Sequence, residues 1–454
     1  MDTAEDPVTL DFLFALQSRA ANVPFLPKLR NFECGRAAPT SIRLVPLIPS
    51  FLSHRTTRVY IGFHQDHPTV MVASVIIRLP MLCPNMERIT LESLPRDPFI
   101  TEAVSDMLLT CNRDTLRWFC ADSSLTDEAR EVVFQLPDLT DLWVVIQGHS
   151  LLPPVALPNL SAIDLEYDDH LDWLQGFRGA TLKKLEDVNF TTHSEQIGDF
   201  LGEFKSVALA ASTSATLAKL SFRTSQPWDP TYRSLFPFTQ LEDLQIEFSC
   251  KNRCSSRLDD NIVIDLARAM PKLKILKLGG VPCKTGGGVT VKGLIALACG
   301  CRHLSKLRIH FQTESLVEAA AGTEVPAPSG DKTAVRRHDC ALTDLEVGKI
   351  TIQEGTTDMV AIALLQIFPR LLNVQFIERG WKDAVEIIRL TRRFSTFVQH
   401  TGKRHLSRPY YPPQLHSSRQ RTWYWKCARV ESSIVSDPTP GITFIFLVML
   451  STPR

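Results

Sequence analysis

From Leu29 to Phe376 the chain keeps returning to one phrase: an apolar residue, two spacers, an apolar residue, one spacer and a third apolar residue. The stretch "MPKLKILKLGG" at 270–280 shows it plainly, with Leu273, Leu276 and Leu278 as anchors. The triplet recurs as Leu139/Leu142/Val144, Leu160/Ile163/Leu165, Leu185/Val188/Phe190, Leu217/Leu220/Phe222 and Leu241/Leu244/Ile246. It recurs again as Leu304/Leu307/Ile309, Leu342/Leu345/Val347 and Leu371/Val374/Phe376. Earlier copies are looser: Leu29/Phe32/Cys34, Thr56/Val59/Ile61, Met86/Ile89/Leu91 and Leu116/Phe119/Ala121. About thirteen copies, roughly 21 to 38 residues apart, have the spacing of a repeat architecture. The last two anchors of each phrase alternate with other residues, most of them polar, which is the period of a strand with one buried face.

Between phrases the period becomes helical. In "DDNIVIDLARAM" Ile262, Val263, Leu266, Ala269 and Met270 fall on one stripe, with Asp259 or Asp260 placed to cap its start. The stretches 97–111, 290–300 and 356–368 read the same way, with Thr290 as a cap. Several helices close on proline before the next strand, in "CPNM", "MPKL" and "FPRL"; proline cannot continue a helix and biases its predecessor toward extended backbone. The unit is helix, proline turn, short strand and loop. One such unit cannot bury its apolar face alone, whereas stacked units bury a continuous core. The expected fold is therefore an α/β solenoid over 25–394, with an inner parallel sheet and outer helices. A doubly wound sheet would bury both faces of its strands and show continuous apolar runs, and these strands keep a polar face.

These Leu-x-x-Leu-x-Leu strands with long irregular spacers resemble leucine-rich repeat proteins, whose fold is a horseshoe. The run from "FLFALQSRAANVPFLPKLRNFEC" to "GWKDAVEIIRLTRRF" resembles the repeat region of large fungal F-box proteins. That resemblance implies a substrate-recognition region of a cullin–RING ubiquitin ligase, in which an N-terminal F-box docks the ligase adaptor and the repeats hold a protein substrate. The stretch before the first repeat departs from an F-box, which opens on a Leu-Pro-x-Glu-like start and continues through several amphipathic helices. Here Asp6, Pro7, Leu10, Phe12, Leu13 and Leu16 predict one helix capping the open end of the array over 1–24. An adaptor contact is expected only if an F-box lies upstream.

Composition adds limits. With 454 residues, 44% apolar and 22% charged, the chain has the make-up of a folded protein. Its net charge of +1 gives no global pull toward nucleic acid or acidic lipid. No secretory leader is visible, and "ITFIFLVML" (442–450) is too short to span a bilayer as a helix. Eleven scattered cysteines fit buried thiols in a reducing compartment, so the expected location is the cytoplasm or nucleus. Cys250/Cys254 and Cys299/Cys301 lack a second ligand pair for zinc. The loop 279–293 has Lys284 before its glycines rather than after them, the wrong order for a phosphate loop. No catalytic motif stands out, so a non-catalytic interaction scaffold without cofactor or metal is expected.

The alternate positions of the strands are where a partner would be met. In the first half these are Asp141, Trp143, Asp164, Glu166, Asp187 and Asn189; later come Lys219, Arg223, Lys277, Lys306, Arg308 and His310, interrupted by Asp243 and Glu247. The face is expected to run from acidic to basic, with Trp143 as its aromatic anchor. The Ala/Gly/Pro-rich segment 313–339 is expected to be a disordered loop. The tail 395–454 is expected to be disordered as well. Its stretch 401–430 carries seven Lys/Arg among Tyr410, Tyr411, Trp423, Tyr424 and Trp425, the texture of a single-stranded nucleic-acid binder, an alternative activity beside the ligase receptor and a plain repeat scaffold with no ligase link.

Overall fold

The computed structural model describes residues 14–15, 18, 24–35, 44–147, 155, 157–167, 174, 176–178, 180, 182–193, 200–211, 213–225, 231–248, 258–279, 288–321, 340–347, 350–376 and 380–405, the last twelve by backbone alone. The chain divides into one unit at Ala20–Arg393 and another made of Met1–Arg19 with Phe394–Arg454. The expected capping helix over 1–24 lies almost wholly outside the described residues.

Within the larger unit thirteen strands form one sheet in strict chain order, every neighbouring pair parallel. They are β1 (Asn31–Cys34), β2 (Arg58–Gly62), β3 (Arg88–Glu92), β4 (Trp118–Ser124), β5 (Asp141–Ile146), β6 (Ala162–Tyr167), β7 (Asp187–Thr192), β8 (Lys219–Thr224), β9 (Asp243–Phe248), β10 (Ile275–Leu278), β11 (Lys306–Arg308), β12 (Asp344–Val347) and β13 (Asn373–Phe376). Each strand carries one repeat phrase, so the phrase and the strand are the same object. Among the described residues α-helices lie between most neighbouring strands, though not between β5 and β6, β6 and β7 or β8 and β9: α1 (Ile48–Phe51), α2 (Thr69–Leu82), α3 (Pro98–Thr110), α4 (Asp127–Val133), α5 (Phe200–Ala210), α6 (Asp260–Ala269), α7 (Val291–Gly300), α8 (Thr313–Ala320), α9 (Thr357–Ile367) and α10 (Trp381–His405). The result is a solenoid-like α/β repeat fold.

One face of the sheet is packed. Anchors such as Ile89, Leu91, Leu142, Leu165, Leu244, Leu276 and Leu345 are buried against the helices in a single continuous core. In the middle of the array aromatic residues take over, with Phe200 stacked on Phe222 at 4.5 Å and edge-on to Phe190 at 5.1 Å. Among the described residues no strand pairs beyond β13, whose anchor Phe376 is exposed. A shared apolar core makes each unit depend on its neighbours.

Polar groups tie the units together at the strand starts. Thr140 Oγ1 donates to Arg117 O, Ser161 Oγ to Thr140 O, Ser305 Oγ to Lys274 O and Thr343 Oγ1 to Ser305 O. Each hydroxyl thus reaches the carbonyl one repeat back, beside the backbone N–H bonds to the same oxygens. Helix starts are linked too. Asp259 caps α6 through Ile262 N, while Asp260 accepts from Thr290 N, Thr290 Oγ1 and Gly293 N at the start of α7. Thr290 caps α7 as expected, by accepting from Lys292 N.

Two expectations need correction. Residues 313–320 form α8 rather than loop, because Leu316 and Thr313 find buried positions and Ser315 Oγ bonds back to Gln312 O. Local packing outweighs the bland composition that continues downstream; 322–339 lie outside the described residues. The backbone of α10 continues to His405, past the expected end of the repeats at 394, while 406–454 lie outside the described residues.

Candidate functional site

The other face of the sheet is open, and strand register sorts its side chains into rows that run across the strands. The first row reads Arg88, Trp118, Asp141, Ala162, Asp187, Lys219, Asp243, Ile275, Lys306 and Asp344 from β3 to β12. The second reads Thr90, Cys120, Trp143, Asp164, Asn189, Ser221, Gln245, Lys277, Arg308 and Glu346. The third holds Glu166, Thr191, Arg223 and Glu247 on β6 to β9, with Glu92 and Asp122 at the corresponding ends of β3 and β4. Ten of the eleven expected site residues therefore share one face. His310 follows β11 and lies against Gly279, where a Cβ would meet its ring at 3.1 Å.

The charge expected of this face is only half right. From β8 onward the cations are interleaved with acids. Lys219 Nζ is 3.0 Å from Asp187, and Arg223 Nε is 3.2 Å from Glu247. Arg308, with its side chain 10% exposed, joins Glu247 to Glu346. Lys306 pairs in register with Asp344. The expected basic end is thus neutralised by its own neighbours, which the alternation of Lys219, Asp243, Lys306 and Asp344 along one row makes unavoidable.

The Glu247–Arg308 pair skips a strand. Between β9 and β11 lies β10, whose next residue, Gly279, has no side chain and a φ of +102°. Glu247 reaches across that strand to Arg308. Burial pushes the Glu247 carboxyl up, but Arg308 and then Arg223 outweigh it and hold the pKa below the usual glutamate value.

The half from β3 to β7 is different. Glu92, Asp122, Asp164 and Glu166 crowd together, and among the described residues the basic side chains within ion-pair distance of them are Arg96 at 3.5 Å and the His193 imidazole at 3.4 Å, both on Glu166. Asp122 is held by the backbone N–H groups of Ser93 and Leu94; Ser93 takes a φ of +55° to present its own. Burial raises the Asp122 pKa, with Glu92 and Glu166 adding repulsion. Asp164 accepts from Asn189 Nδ2, yet burial, with Asp187 and Glu166 nearby, pushes its pKa up to about 6. Cys120, buried beneath the same carboxylates, has its thiol pKa raised as well. Tyr60 donates to Glu92 at 2.8 Å, and the Arg88 guanidinium lies 5.5 Å from the centre of the Trp118 ring. Trp143 sits between Cys120 and Asp164, partly exposed.

Sequence reasoning missed Glu92 and Asp122. Both fall on the open-face parity once the looser copies Met86/Ile89/Leu91 and Leu116/Phe119/Ala121 are read to their strand ends.

Other candidate chemistry finds no footing among the described residues. No group of three or more His, Cys, Asp or Glu residues could hold a metal ion, and no helix is long and apolar enough to cross a membrane. Cys301 is buried and Cys299 exposed, while Cys250, Cys254 and the glycine loop 280–287 lie outside the described residues. An apolar void of about 20 Å³ between β6, β7 and α5, lined by Leu174, Phe177 and Val207 among others, has room for one water at most. No family model matches the chain, and no curated protein matches it at significant similarity.

Proposed function

We propose that this protein is a leucine-rich repeat scaffold of the horseshoe type that binds a protein partner through the open face of its sheet, without catalysis of its own. The observation that carries the reading is the face itself: a polar surface laid over thirteen parallel strands, with the partly exposed Trp143 among crowded carboxylates. Solvation alone asks only for polar residues. It does not ask for a carboxylate buried among other acids, where burial first and then Asp187 and Glu166 raise the Asp164 pKa to about 6, an arrangement that disfavours the unbound state. In the version implied by the likeness to F-box proteins, the bound protein is a substrate presented for ubiquitylation.

The test is capture from a lysate with the full chain as bait, with captured proteins identified by mass spectrometry. Trp143→Ala is expected to lose the specific partner, while a charge reversal at Lys306 leaves it bound. A partner retained equally by wild type and Trp143→Ala would move the binding surface elsewhere. Recovery of a cullin adaptor in the same eluate would support the ligase version, and its absence with an intact upstream region would remove it.

A further inference from the structure

We infer that the open face over β3–β6 receives an extended, arginine- or lysine-bearing segment of a protein partner, lying across the strands with its cations on the third-row carboxylates and Trp143. The inference rests on the scaffold reading above and adds the chemistry of what is bound.

Three observations meet here. The first is the contrast between the two halves of one face. From β8 to β12 Glu247 is ion-paired with two arginines and Glu346 with one, while Asp243 feels Lys277 and Lys219 and Asp344 feels Lys306 across the sheet. Over β3–β6, Glu92, Asp122 and Asp164 have no ion-pair partner among the described residues, and Glu166 has only exposed ones. The second is spacing. Strands lie about 4.8 Å apart, so the carboxylates on β3, β4 and β6 span about 14 Å along the row; alternate side chains of an extended peptide repeat every 6.8 Å or about that, so three of them cover the same length. The third is aromatic and independent of the acids. Arg88 already lies over Trp118 on this face, showing that a guanidinium is accommodated there, and among the described residues Trp143 on the next strand has no such cation. A segment with cations at alternate positions would neutralise the carboxylates and cover the indole. A polyanion such as nucleic acid would be repelled.

The test uses the full chain and a fluorescent peptide of about nine residues alternating Arg with Ser, read by anisotropy at low and moderate salt, with a Glu/Ser peptide as the opposite charge. The Arg/Ser peptide is expected to bind and the Glu/Ser peptide to fail. Glu166→Gln and Trp143→Ala should each weaken binding about tenfold, while Asp344→Asn, an acid on the same face at its far end, changes it by less than about twofold. Melting curves show that each variant is folded. No binding by wild type, or equal losses in Glu166→Gln and Asp344→Asn, would overturn the inference, the second outcome marking diffuse charge attraction only. If lysate capture depends on Trp143 but is indifferent to Glu166→Gln, the scaffold reading stands and the basic-segment inference falls.

Discussion

Removal of Arg308 is the sharpest test of how the open face is held. Its guanidinium spans Glu247 and Glu346 with only a tenth of the side chain exposed, and Glu247 is 23% exposed. Two unit charges about 3 Å apart attract by roughly 3–5 kcal/mol at an effective dielectric of 20–40 or so. Desolvation and side-chain ordering offset most of that, leaving an expected coupling of about 1–2 kcal/mol. The second arginine on the same carboxylate is an internal control: the Arg223 side chain is 59% exposed, and its coupling should stay below about 0.5 kcal/mol. The assay is a pair of double-mutant cycles by urea denaturation, Arg308→Met with Glu247→Gln and Arg223→Met with Glu247→Gln. The pH dependence gives a second handle. Because the folded-state pKa of Glu247 is depressed, its contribution is present above the ordinary value of 4.5 and is lost as pH falls through the folded value. The stability gap between wild type and Arg308→Met should therefore narrow in acid. Equal couplings for the two arginines, or a gap that widens below pH 4.5, would refute the reasoning.

Further outcomes follow from other sites. Gly300→Ala should lower stability by about 1–3 kcal/mol despite the better helix former, since its Cβ would sit 2.9 Å from both the carbonyl oxygen and Cβ of Ala267; a raised melting temperature would contradict that packing. Asp164→Asn should stabilise the protein by about 1–2 kcal/mol at pH 7.5. The raised pKa means the folded state holds that proton more tightly, so the advantage should fade as pH falls through about 6 toward the ordinary aspartate value, which chemical denaturation across pH will show. His67 works in the opposite sense. Burial and neighbouring His64 lower its pKa, so wild-type stability should decline as pH falls below 6.5, and His67→Gln should flatten that decline; an unchanged slope would rule His67 out as its source.

The repeat was legible because the chemistry that builds it is local and relentless. A position such as Leu276 or Leu345 is buried in every rung from β2 to β13, so its apolar character survives wherever the spacer lengthens. The helix caps at Asp259 and Thr290 were legible for the same reason, each acting within three residues of its own chain. What escaped depends on partners far apart in sequence. Glu247 and Arg308 are 61 residues apart in sequence and meet across the intervening strand β10. No pattern along the chain announces that pairing, and without it the later cations looked like a basic surface. Helix α8 was hidden by the Ala- and Gly-rich run that follows it, where composition averaged over the whole segment masked one good apolar contact at Leu316.

The hydroxyl bonds between rungs have a consequence for how such a chain can change. Thr140 and Ser161 stand 21 residues apart, Ser305 and Thr343 stand 38 apart, yet each pair makes the same hydroxyl-to-carbonyl link. The junction is therefore indifferent to how much chain is looped out between its two ends. Duplication, loss or expansion of a spacer leaves the joint between rungs chemically whole, so gene-level insertions and deletions can lengthen or trim this array while the surface it displays keeps its pitch.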